Sequence, residues 1–292
     1  MHLISGGGTS NRIMMNSKRY SIEYLPGARG HYLSMCINLL YNYDAENFVR
    51  SHEYILDDNG KVFADSRNIQ CIETLVELLG NPIDSDFYIR GLLYDNYVVD
   101  DELKKYFKYT FNKYAHETNF DSNVIIYTGH ESSTAKNTLY CESYIKSLYS
   151  LLDVDNVFLI CPNTLEDFVE ICVIQHLKDD LQEDINIHSI MSMIYSFLEM
   201  KKLHEKNGSI LVDYDKIKNL SVPKLARYIS SLTGIETTIN NEFVKFVRDY
   251  KNIDDEVLKS IKPKVDKIVH DIIIYNENID YKLSINTRHD YE

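Results

Sequence analysis

The sequence predicts an α/β protein with a mostly parallel central sheet flanked by helices, and three observations lead there. Short apolar runs alternate with longer segments whose apolar residues recur every three to four positions. The runs Val124-Ile125-Ile126-Tyr127, Val157-Phe158-Leu159-Ile160 and Ile210-Leu211-Val212 are continuous, as expected of strands covered on both faces. Residues 20–40 read as a strand, a Pro-Gly turn and an amphipathic helix.

Taken in order, strands are expected at Tyr20–Leu25, Asn123–Thr128, Asn156–Cys161 and Ser209–Tyr214. Helices are expected at His31–Tyr41, Ile69–Leu79, Asp101–Tyr114, Asn137–Leu152, Leu165–Leu177, His188–Glu205 and Val222–Thr233. Two more, Asn241–Tyr250 and Asp254–Tyr275, form a C-terminal helical region over about 241–276. Strands alternating with helices imply right-handed crossovers in one sheet. The segment from Glu53 to Phe63 reads instead as a β-hairpin turning at Asn59-Gly60. Its acidic Asp57-Asp58 pair lacks the rest of a calcium loop. Residues from about 44 to 120 are therefore expected to be a hairpin-containing insertion or cap. Residues 1–18, with Ser5-Gly6-Gly7-Gly8-Thr9-Ser10 and no signal-like apolar core, are expected to be a flexible segment. Residues 19–292 are expected to form a single domain. The stripe Val257, Ile261, Val265, Ile268 and Ile272 would pack on that domain or on a second copy, giving a homo-oligomer through the C-terminal helices.

Charge narrows the function classes. Lys and Arg number 31 against 44 Asp and Glu, a net charge of −13, which disfavours a sequence-blind nucleic-acid binder. No apolar run approaches the ~18 residues needed to span a membrane. Cys36, Cys71, Cys141, Cys161 and Cys172 are odd in number and widely spaced, with no CxxC pair. They predict neither a disulfide framework nor a zinc site, and so a reducing, cytoplasmic setting with no metal. The 23 Tyr and absent Trp place the aromatic mass in residues whose hydroxyls need partners. Richness in Asn, Ile, Tyr, Lys and Asp points to an AT-rich coding genome, with viruses among the candidates.

The loop Pro26-Gly27-Ala28-Arg29-Gly30-His31-Tyr32 carries the functional argument. Gly27 and Gly30 let the backbone approach a ligand. The helix that follows aims its unpaired N–H groups and positive dipole end into the turn. Together these make an anion site, and Arg29 either clamps that anion or pairs with a carboxylate. The pattern GxxxxGK[ST] is absent, because no Lys-Ser/Thr follows Gly30, and a phosphotransferase of that type is disfavoured.

The element order resembles the sulfotransferases, whose first strand ends in a loop of the kind Pro-Arg/Lys-Ser-Gly-Thr-Thr. Here Pro26 to Tyr32 stand at that place. The family's next strand ends in Thr-His, and Thr128-Gly129-His130 is similar with one residue interposed. The segment Ile210 to Ile217, followed by Ile229-Ser230-Ser231-Leu232-Thr233-Gly234, looks like the family's Tyr-Glu-Asp-Leu and Phe-Leu-Gly stretches. Val157 to Thr164 lacks the Arg that the family uses for the 3′-phosphate. The resemblance covers about residues 20–40 and 123–250. It implies a P-loop-type, sulfotransferase-like fold taking 3′-phosphoadenosine 5′-phosphosulfate as donor, without a metal. The acceptor would be a hydroxyl on a small molecule or saccharide.

Sulfuryl transfer needs a base, for which His130 at a strand end is the first candidate and His31 the rival. Arg29 and the loop N–H groups would stabilise the leaving phosphate. The alternative is a protein that kept the fold but lost catalysis and acts as a binding or assembly component. The missing 3′-phosphate Arg favours that alternative.

Overall fold

The computed structural model describes residues 18–42, 69–71, 124–130, 154–178 and 185–277. Five parallel strands make one sheet: β1 (Lys18–Tyr24), β2 (Ile69–Cys71), β3 (Val124–His130), β4 (Asn156–Cys161) and β5 (Ile210–Asp213), in the order β2-β3-β1-β4-β5. Six helices are described: α1 (Gly30–Tyr41), α2 (Leu165–Lys178), α3 (Ile187–Lys206), α4 (Tyr214–Asn219), α5 (Val222–Thr233) and α6 (Asn241–Glu277). The parallel α/β expectation is met. No helix among the described residues is long and apolar enough to cross a membrane.

β1 lies at the centre because both its faces are covered. Tyr20, Ile22 and Tyr24 alternate with Ser21 and Glu23, and all five are buried. Ser21 Oγ donates to Glu23 Oε1 at 2.5 Å, giving the polar face an internal partner. Asp155 fixes the strand's start, accepting from Arg19 N at 2.7 Å while its own N–H donates to Arg19 O at 2.8 Å.

α1 is apolar nearly all round, and every residue except His31 is buried. Its buried Ser34 and Asn38 bond locally, whereas the Tyr32 hydroxyl is buried without a hydrogen-bond partner among the described residues. Ser34 Oγ donates to Gly30 O at 2.8 Å. Just past the helix, Asn42 Nδ2 donates to Val124 O at 2.8 Å, and Asn42 Oδ1 accepts from Val124 N at 3.0 Å. The side chain thus pairs with the first residue of β3 as a strand backbone would.

The C-terminal helices close over α1. Tyr20 and Tyr41 hydroxyls donate to Thr233 O and Ile235 O, each at 3.0 Å. Asn240 Nδ2 donates to Leu39 O at 2.7 Å, while its Oδ1 caps α6 by accepting from Phe243 N at 2.8 Å. Tyr250 of α6 then stacks on Tyr32 of α1 with ring centroids 4.1 Å apart.

Three expectations change. Ile69–Cys71 forms the edge strand, not the start of a helix, so part of the expected insertion belongs to the sheet. The two C-terminal helices are one, because the stripe Phe243, Val247, Tyr250, Val257 and Ile261 runs through the polar stretch between them. α4 was not anticipated; Asp213 begins it by accepting from Asp215 N and Lys216 N. The hairpin at 53–63, the helices at 101–114 and 137–152, and residues 1–17 lie outside the described residues.

The buried thiols and phenols carry a pH signature. Burial pushes Cys161 and Cys172 up to about 12, from an ordinary 9.0, and Tyr20 up to about 12 from 10.0. Burial raises Tyr32, Tyr41 and Tyr250 as well. Above pH ~9 the unfolded chain therefore loses protons that the native state keeps, and stability falls as pH rises. Denaturant midpoints should hold level to about pH 8.5 and then decline steadily toward pH 11. A flat profile across that range would contradict the burial of these groups.

Candidate functional site

After β1 the chain turns towards β2 and β3, whereas after the adjacent β4 it leads to β5 on the other side. The carboxyl ends of β1 and β4 thus form a topological switch point, the place where open α/β sheets bind ligands. Residues 25–29 join β1 to α1 there. Ala28 N donates to Leu25 O at 2.8 Å, closing a turn. Gly27 and Arg29 both take left-handed backbone conformations, with φ of 92° and 61°. At Gly27 a Cβ would meet the Ile171 carbonyl oxygen at 2.7 Å, so the loop rests directly on α2. At Gly30 it would stand 2.1 Å from the Tyr24 ring.

The two helix starts at this edge differ. α2 is closed by its own residues: Thr164 Oγ1 accepts from Asp167 N, and Asp167 Oδ2 accepts from Thr164 N, each at 3.2 Å. α1 begins at Arg29 with no side-chain cap and no acid in its first turn. Its first-turn N–H groups point out of the helix end towards the switch point.

The Arg29 guanidinium turns into the protein. Its side chain is 2% exposed, and its Nε and Nη2 donate to both oxygens of Asp254 on α6, the shortest contact being 2.8 Å. Nη1 approaches Glu170 Oε1 at 3.4 Å and donates to the Tyr214 hydroxyl. Tyr214 donates in turn to Glu170 Oε1 at 2.8 Å, and Lys218 Nζ holds Glu170 Oε2 at 2.8 Å. Two cations and two carboxylates are thus sealed between the loop, α2, α4 and α6. Burial works against the charge on Arg29, but Asp254, Tyr250 and Glu170 outweigh it and raise its pKa.

Compared with known protein families, the chain matches no family model. No curated protein matches it in sequence. The site therefore stands on its geometry.

The structure places the expected residues as follows. Pro26, Gly27, Ala28, Arg29, Gly30, His31 and Tyr32 form one turn and the start of α1 at the switch point. His31 is half-buried, with its ring edge-on to Tyr24 at 5.8 Å. Tyr32 points its ring away into the stack with Tyr250 and Phe246. His130 ends β3 and pairs in register with Tyr24, on the same edge of the sheet. Sequence reasoning missed Glu170 and Asp254 as partners of Arg29, and Lys218 as the second cation on Glu170. The legible signal is Asp254 itself, a charge lying between Tyr250 and Val257 on the buried stripe of α6. Among the described residues no three His, Cys, Asp or Glu are grouped so as to hold a metal.

Proposed function

We propose that residues 26–32 bind the phosphate end of a nucleotide and that the protein is a sulfotransferase-like transferase. The supporting observation is the uncapped start of α1, behind a left-handed turn at the switch point. While Asp254 holds Arg29, the main-chain N–H groups are what the loop offers a ligand first. In the transfer, the acceptor hydroxyl gives its proton to His130 and its oxygen bonds to sulfur. The bond from sulfur to the phosphate oxygen breaks, and 3′-phosphoadenosine 5′-phosphate leaves. The loop N–H groups meet the charge that grows on that oxygen.

One observation favours the second reading, a binding or assembly component without catalysis: the cation that would clamp the donor is engaged inside the protein. A titration separates the two. At a hundred times its dissociation constant, 3′-phosphoadenosine 5′-phosphate should add about 2.7 kcal/mol of stability. His31→Asp puts a negative charge in the first turn of α1, where the helix dipole tolerates it, and should abolish the shift while the protein stays folded. His130→Ala should keep binding and lose transfer to a hydroxyl. Binding without transfer in the wild type would leave the second reading. No binding at millimolar ligand would remove the transferase.

A further inference from the structure

Arg29 is the one Lys or Arg in the loop from Pro26 to Tyr32, and Asp254 presents two carboxylate oxygens to its Nε–Nη2 edge. A phosphate group offers that edge the same pair of oxygens. We infer that Asp254 is an internal competitor for the loop's ligand, occupying Arg29 until a phosphate displaces it. The inference rests on the loop being a phosphate site, and adds to it a contact that holds the site in reserve.

The two carboxylates on Arg29 are anchored differently. Glu170 is also tied by Lys218 and Tyr214. Every hydrogen bond to the Asp254 carboxylate among the described residues comes from Arg29. The Asp254 side chain is slightly the more exposed of the two carboxylates, 15% against 11% for Glu170, and its neighbours Ile253, Asp255 and Glu256 on α6 are exposed. Asp254 is thus the partner that water reaches and that a small shift of α6 releases. Exchanging its carboxylate for a phosphate keeps the buried Arg29 paired, and the released Asp254 carboxylate has to turn towards solvent beside its exposed neighbours on α6. Glu170, itself held by Lys218, and the Tyr214 hydroxyl meanwhile hold the guanidinium's other side.

Calorimetric titration with 3′-phosphoadenosine 5′-phosphate at low salt tests this. Asp254→Asn keeps the shape and removes the competing charge, and its dissociation constant should fall about tenfold below that of the wild type. If the wild type binds and Asp254→Asn binds no tighter, the competition is overturned and the loop reading stands. If neither binds, both fall. Hydrogen exchange on the wild type gives a second readout that needs no variant. Saturating ligand should protect amides 27–33 while amides 250–258 of α6 exchange faster. Protection of both segments would overturn the displacement of Asp254.

Discussion

Replacing Arg29 with alanine is expected to lower folding stability by about 3–5 kcal/mol, the usual cost of breaking a buried ion pair from one side. The loss comes less from missing attraction than from what remains. Asp254 and Glu170 lose a shared cation in a site where their side chains are only 15% and 11% exposed. Lys218 still balances Glu170, so the uncompensated charge falls on Asp254. The double variant Arg29→Met with Asp254→Leu should recover most of that loss, because it removes both charges together and refills the volume. Urea denaturation of the single and double variants decides it. A single variant that costs under ~1 kcal/mol would mean the pair is effectively solvated, as surface pairs are.

The second large effect is expected at Gly27. Alanine there must adopt φ of 92°, and its Cβ would stand 2.7 Å from the Ile171 carbonyl oxygen. The conformation costs about 1–2 kcal/mol, and overpacking adds about 1–3 kcal/mol. The clash is with helix backbone, which cannot swing aside as a side-chain end can. Gly234→Ala is the matched control, since Gly234 also has positive φ, at 68°, but nothing lies within 4 Å of its added Cβ. Gly27→Ala should therefore lower the denaturation midpoint more than Gly234→Ala, and should also weaken phosphate binding. Equal losses at the two sites would show that the loop yields to the added methyl.

What was legible in the sequence follows the range of the forces involved. β4, α2 and α5 were placed to within a residue because their signals are local: a continuous apolar run, a three-to-four period, and a glycine after Thr233 that ends α5 in the left-handed conformation. Ile69–Cys71 was misread because three residues at a sheet edge carry no period of their own, and pairing with β3 decides them. The break expected between Tyr250 and Asp254 reflected local polarity, which the continuing apolar stripe overrode. Arg29 was legible as a loop cation that clamps an anion or meets a carboxylate, but its partners stand 141, 185 and 225 positions away. Only folding brings them to one place. Asp254, a charge on a buried stripe, was the single advance sign.

The amide of Asn42 has a consequence for how this chain tolerates change. It spans the 82 positions to Val124 with two hydrogen bonds, so the end of α1 and the beginning of β3 are registered by a side chain, without relying on the connection between them. Loop-closure entropy rises only slowly with length. Residues gained or lost between these two points, away from Ile69–Cys71, would thus leave the spacing of α1 and the sheet intact. A lineage carrying this fold is free to rewrite that stretch while the asparagine keeps the frame in place.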